Sequence, residues 1–218
     1  MSLATESNKC NLAVFASGTG SNFINIYRYI LNEEVFGEIK LLISNNPKCK
    51  AVEFAKKQGI KYKIINQTRF NDNVENIMLQ TLVNNSIDLI ILAGYMKKIP
   101  ENIVNAYQSK ILNIHPSLLP KFGGQGFYGL KVHKAVIDSK ENYTGITIHF
   151  VDNEYDTGNI IYQEKINVMD NDTPETLSKR VLRLEHKNYP QIIKTSISQD
   201  MLNIWMTIFI NQIYNEVI

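Results

Sequence analysis

Asn113 and His115 are hydrogen-bonding residues inside an otherwise apolar stretch, ILNIHPSLLP (111–120). If Ile111 to His115 is a strand, side chains alternate between faces, with Leu112 and Ile114 on one and Asn113 and His115 on the other. Pro116 has no N–H and holds the residue before it extended, so the strand stops beside the polar pair. An imidazole next to an amide can stabilise a negatively charged oxygen, and the imidazole can also carry a proton. The same pair could be two satisfied polar groups in a pocket. Downstream, VDNEYDTGNI (151–160) places Asp152, Glu154 and Asp156 in a loop closed by Gly158. That loop is either a hairpin turn built from Asp and Gly, or the source of a carboxylate that favours a nearby imidazolium. Spacing alone does not bring it to His115.

A second candidate is SGTGSN (17–22), a glycine turn between a strand and a helix start. Gly18 and Gly20 let the backbone curl, and the first N–H groups of the helix would point at an anion. Ser21 or Asn22 could cap that helix and bind a phosphate oxygen. The dinucleotide fingerprint needs a glycine where Phe23 stands and an acid where Ser44, Asn45 and Asn46 stand. A nicotinamide or flavin enzyme is therefore disfavoured, whereas a smaller phosphate ester, or a plain tight turn, fits. The 4 histidines and 2 cysteines have no ligand spacing, so no metal is expected. Ser117 lies in no nucleophile elbow. His149 reads as a hydrogen-bonded supporting residue on a strand; His133 and His186 fall on predicted helices and are given no catalytic role.

These residues need elements to position them. Apolar runs LAVFA (12–16), IKLLIS (39–44), YKII (62–65), IDLIILAG (87–94) and ILNI (111–114) alternate with helical periodicity over 21–32, 50–58 and 69–85. The pattern predicts an α/β fold, a Rossmann-like, mostly parallel twisted sheet with helices on both faces. TGITIHFV (144–151) and NIIYQEKINV (159–168) alternate in polarity and predict an antiparallel C-terminal strand pair. A further helix opens with Thr173 as N-cap and Pro174 in the first turn and runs to about residue 188, with Pro190 opening or kinking a continuation. Without linker or repeat, a single domain over 1–218 is expected, with a phosphate-binding half at about 10–110 and a second half at about 87–197. Ligands in such sheets bind beyond the carboxyl ends of the strands, where SGTGSN, NNP, YMKK and HPS lie.

Composition narrows the function classes. Among 218 residues, 23 basic side chains face 21 acidic ones, so no nucleic-acid-binding face is expected. KKQGIKYK (56–63), the densest basic stretch, reads as a helix end, turn and strand on a solvated surface. Cys10 and Cys49 make no disulfide framework. The leader MSLATESNK lacks an apolar core. The C-terminal MLNIWMTIFINQIYNEVI is interrupted by polar residues short of a spanning length and reads as a docking helix or strand. The expectation is a cytoplasmic protein acting on small molecules, with no membrane and no nucleic-acid partner, as a monomer or homodimer.

Six ordered motifs over about 12–190 are similar to those of the folate-dependent formyltransferases: SGTGSN, DLIILAGYMKKI, ILNIHPSLLPKF, GLKVHKAV, TGITIHFVDNEYDTGNIIYQ and EHKNYP. The resemblance implies transfer of a formyl group from the co-substrate 10-formyltetrahydrofolate to the amine of a phosphoribosylated glycinamide, in purine synthesis. It implies that Asn113, His115 and Asp156 form the catalytic trio. Gly20, Ser21 and Asn22 would hold the ribonucleotide phosphate, and Glu185 its glycinamide end. Met96, Lys97, Lys98 and Ile99 would line the folate pocket, and Asp152, Asn153, Glu154, Tyr155 and Asp156 would close over it. KFGGQGFYG (121–129) departs from the family pattern in its glycines. An arginine for the folate tail falls near Asn73, leaving Arg69 or Lys97 to substitute. A formyltetrahydrofolate hydrolase and a non-catalytic nucleotide-binding module of the same fold are the alternatives.

Overall fold

Strands that are apolar on every residue need cover on both faces. In the computed structural model, which describes residues 9–32, 34–35 and 37–198, β1 (Cys10–Phe15) meets that need. Its Leu12 and Val14 enter one core, and its Ala13 and Phe15 the other. The leader 1–8 and the apolar segment 199–218 lie outside the described residues, and with them the docking expected of that segment.

The remaining strands are β2 (Gly37–Ser44), β3 (Tyr62–Ile64), β4 (Leu89–Leu92), β5 (Ile111–His115), β6 (Tyr143–Phe150) and β7 (Ile160–Asn167). They form a 7-stranded sheet in the order β3-β2-β1-β4-β5-β6-β7. The first five strands run parallel, while β6 and β7 pair antiparallel, as the alternation predicts. One core packs α1 (Ser21–Leu31), α2 (Lys50–Gln58), α6 (Leu130–Asp138) and α7 (Pro174–Ile197) on the sheet. The other packs α4 (Val74–Val83) and α5 (Glu101–Ala106), with α3 (Gln67–Phe70) leading into α4. The chain crosses from one face to the other between β1 and β4, which opens a crevice at their carboxyl ends. Ser17 N donates to Gly94 O at 3.0 Å across that crevice.

Three helices differ from expectation. The helix expected over 69–85 is broken, because the Asn66 side chain caps a short first piece at Arg69 N and Asn71 turns to φ 45°. The six-residue α5, opened by Pro100, is too short to show periodicity. Conversely, α7 runs unbroken to Ile197 with Pro190 inside it. A proline leaves the carbonyl four residues earlier without its donor. Here that carbonyl, His186 O, accepts from the Asn25 side chain of α1 at 2.7 Å. The helix survives because a neighbour replaces the missing N–H. Its start follows expectation, with Thr173 and Thr176 in a reciprocal capping box.

Tyr189, wholly buried on α7, ties this helix to the sheet below the crevice. Its hydroxyl lies 3.0 Å from the carbonyls of Leu92, the last residue of β4, and of Leu112, near the start of β5. Removing that donor in Tyr189→Phe is expected to cost ~1–2 kcal/mol, read as a melting temperature lower by a few degrees. An unchanged melting temperature would mean that the strand partners alone satisfy both carbonyls.

Candidate active site

The register of the sheet assembles the site. Asn113 of β5 pairs with His149 of β6, and His115 with Thr147. Asp156 lies in the loop beyond β6, with φ at 59°, and points back to the end of β5. Its Oδ2 is 3.4 Å from His115 Nδ1, and its Oδ1 is 3.3 Å from Asn113 Nδ2. The trio expected from the motifs is thus contiguous.

Partner chemistry fixes the protons. Phe122 O is an acceptor 2.8 Å from His115 Nε2, so Nε2 carries a hydrogen. Nδ1 then faces a carboxylate, a geometry completed by a second proton. Burial, the strongest influence, holds the imidazole below its ordinary pKa, against the upward pull of Asp156 and of the Phe122 carbonyl. Burial alone would raise the Asp156 carboxyl, but hydrogen bonding to His149, the His115 charge and the Gly124 N–H (2.9 Å) keep it below the usual range. His149 Nδ1 donates to Phe150 O at 2.7 Å, and its Nε2 lies 3.0 Å from Asn113 Nδ2 and 3.6 Å from Asp156 Oδ1. His149 is therefore the hydrogen-bonded supporting residue expected from its strand position, set beside the Asn113 amide.

Around the trio lies a cleft of about 810 Å³, within the usual range for small-molecule sites. Gly20, Ser21, Asn22 and Glu185 line it, as do Met96, Lys97, Lys98, Ile99, Asp152, Glu154, Tyr155 and Asp156. Asn153 is not among the lining residues. Asp152 also shapes the loop, since it accepts from the Thr157 hydroxyl and from Glu154 N. Lys98 reaches Glu154 at 3.8 Å across the mouth, an exposed and weak pair. Arg69 lies apart, in a groove with Pro47, Lys56 and Tyr62, so that of the two expected substitutes only Lys97 is at the cleft.

At the glycine turn, the expected side-chain cap is absent. Gly20 itself is the N-cap of α1, in a left-handed conformation with no side-chain bond. A Cβ there would come within 2.8 Å of Ala51 Cβ, so glycine is required by both backbone and packing. Asn22 turns inward instead, donating from Nδ2 to Glu185 Oε2 at 2.6 Å. Burial raises the Glu185 carboxyl to about 7, with the Asn22 bond opposing. A folded-state value above the unfolded one stabilises the fold below the unfolded pKa, and that gain is lost as pH rises to about 7. Glu185→Gln is expected to flatten this part of a melting-temperature profile; an identical profile would remove Glu185 as its source.

Other groups at the site were not singled out from the sequence. Phe122 O and Gly124 N act through the backbone, in the segment whose glycines depart from the family pattern. His133, expected only as a helix residue, lines the cleft with a buried Nδ1 that has no partner among the described residues. Its position just after the glycine-rich segment, in the GLKVHKAV motif, was the available signal.

The family model described as formyl transferase matches residues 10–193. The chain belongs to this family. It is 44% identical over 191 residues to "Phosphoribosylglycinamide formyltransferase, chloroplastic" of Arabidopsis thaliana, covering 86% of this chain but 65% of that protein. The chain thus spans just under two thirds of that plant relative. It is 39% identical over 184 residues to the phosphoribosylglycinamide formyltransferase of Bacillus subtilis (strain 168), covering 84% of this chain and 92% of that one. A crystal structure of the Bacillus halodurans phosphoribosylglycinamide formyltransferase superposes with a TM-score of 0.81 at 34% identity, over 87% of this chain and 96% of that one. The Rossmann-like sheet with its antiparallel strand pair is the fold of the family.

Proposed function

We propose that this chain transfers the formyl group of 10-formyltetrahydrofolate to the amine of N1-(5-phosphoribosyl)glycinamide, a step of purine nucleotide synthesis. The observation that carries the reading is the meeting of Asn113, His115 and Asp156 in one cleft. The Gly20 turn, which lines the same cleft, opens α1 with its backbone N–H groups, suited to a phosphate. Met96–Ile99 and the loop carrying Asp156, which line it too, would hold the folate. Formyltetrahydrofolate supplies the activated one-carbon unit.

Attack of an amine on a formyl carbon builds negative charge on the formyl oxygen. Protonated His115, stabilised by Asp156, and the Asn113 amide are the groups to receive that charge. Asp156 and His115 also offer a route for the proton lost by the attacking nitrogen. Positioning two substrates in one cleft accounts for much of the remaining acceleration. The cytoplasm is our proposed compartment; the plant relative's name specifies the chloroplast instead.

Absorbance of the released folate on mixing both substrates tests the proposal. Product that requires the ribonucleotide is expected; release at the same rate without it would make the chain a hydrolase. At the turn, Ser21→Ala is expected to raise the ribonucleotide KM roughly tenfold with little change in kcat, the signature of binding lost equally in ground and transition states. An unchanged KM would remove the Ser21 hydroxyl from the phosphate site.

A further inference from the structure

Met96, Lys97 and Lys98, in the segment proposed for the folate, are exposed along the cleft between two packed neighbours. Before them, the Tyr95 ring meets Phe15 edge to face at 5.2 Å. After them, Ile99 is buried in the core that holds α4 and α5. Between those anchors, one main-chain hydrogen bond holds the stretch among the described residues, from Met96 N to Ser17 Oγ at 3.0 Å. Ser17 opens the glycine turn, yet it is 7% exposed and is not among the residues lining the cleft. Its hydroxyl therefore reaches a ligand only through Met96.

That hydroxyl is itself oriented. It donates to Asn45 Oδ1, just beyond β2, which leaves its lone pairs to accept from Met96 N. The main-chain oxygen of Asn45 accepts in turn from Asn66 Nδ2 at 2.9 Å, just beyond β3. The main chain of Ser17 is fixed separately, its N donating to Gly94 O at 3.0 Å and its O accepting from Asn46 Nδ2 at 3.3 Å. Further along, Gly18 O accepts from Ala51 N at 3.3 Å. Deleting the hydroxyl would thus leave the glycine turn in place and release Met96.

From this we propose that Ser17 is a positioning residue for the folate rather than for the phosphate, its hydroxyl setting the course of Met96–Lys98. The proposal rests on the folate reading of that segment and adds to it a residue of another loop. Without the bond, binding energy has to order a freer stretch, so folate affinity falls. The loss is felt equally in ground and transition states, so the folate KM rises while kcat holds.

Calorimetric titration and amide hydrogen exchange on the intact wild type and Ser17→Ala test the proposal. 10-Formyltetrahydrofolate and the glycinamide ribonucleotide are titrated separately. The variant is expected to lose roughly five- to tenfold in folate affinity, the worth of one hydrogen bond, and to keep its ribonucleotide affinity within about twofold. Exchange at the Met96 amide should quicken while that of residues 18–22 stays as in wild type. A hydroxyl of purely structural weight would lower the melting temperature and leave both affinities alone, which overturns the proposal. A ribonucleotide affinity that falls as far as the folate affinity overturns it too. Should Ser17→Ala fail to fold, Asn45→Ala, which removes the acceptor orienting the hydroxyl, is read by the same criteria. A wild type that binds both ligands but transfers no formyl group refutes the proposed function and leaves this proposal intact; one that binds no folate overturns both.

Discussion

Asp156→Asn is expected to lower turnover by ~10²–10³-fold while the ribonucleotide dissociation constant stays within about twofold of wild type. The substitution keeps the shape and the oxygen that Gly124 N meets at 2.9 Å, so the loop retains its anchor. What it removes is the negative charge 3.4 Å from His115 Nδ1. That charge raises the imidazole pKa against the burial that lowers it, so without it burial acts unopposed by any carboxylate. The cationic form becomes rarer at neutral pH, and the limb of the rate profile that reports its loss moves to lower pH. Asn113 is disturbed as well, because its Nδ2 meets Asp156 Oδ1 at 3.3 Å and could face an amide hydrogen in its place. None of these contacts involves the Gly20 turn, which is why binding and turnover should separate. Ribonucleotide affinity falling in step with kcat would contradict that division.

The polar pair on β5 is legible because strand geometry alone puts Asn113 and His115 on one face and Pro116 marks the end. The position of Asp156 is not, since it depends on how far the loop after β6 folds back, and local periodicity says nothing of that. Once the β5–β6 pairing is known, His149 opposite Asn113 follows at once. The sequence neighbours of Asn22 point to a cap, but its real partner is Glu185, 163 residues away. Pro190 reads as opening or kinking a continuation for the same reason: the side chain that rescues it, Asn25, is 161 residues distant from His186. Alternating polarity and turn chemistry are local and survive translation into structure. Side-chain pairs between distant helices need the packed sheet first. The glycine-rich segment 121–129 acts through main-chain groups, Phe122 O and Gly124 N, which residue types do not encode.

Gly158 joins fold and chemistry in one prediction. It closes the loop that carries Asp156, and a Cβ there would lie 1.9 Å from Phe150 O and 2.8 Å from Phe150 C. Those are backbone atoms at the end of β6, where Phe150 N donates to Asn159 O at 2.9 Å, so no flexible side chain can move aside. Gly158→Ala must therefore part the neck of the loop. Overpacking of this kind costs ~1–3 kcal/mol, or a melting temperature lower by ~3–10 °C for a chain of this size. Turnover should suffer more than stability, because a displacement of about 1 Å in a catalytic group can cost ~10²-fold. Gly18→Ala is the stability control: its Cβ would meet nothing within 4 Å, and its melting temperature should stay close to wild type. If Gly158→Ala kept both its melting temperature and its turnover, the neck would be shown to open freely, and the placement of Asp156 against His115 would have to rest on the Gly124 and Asn113 contacts alone.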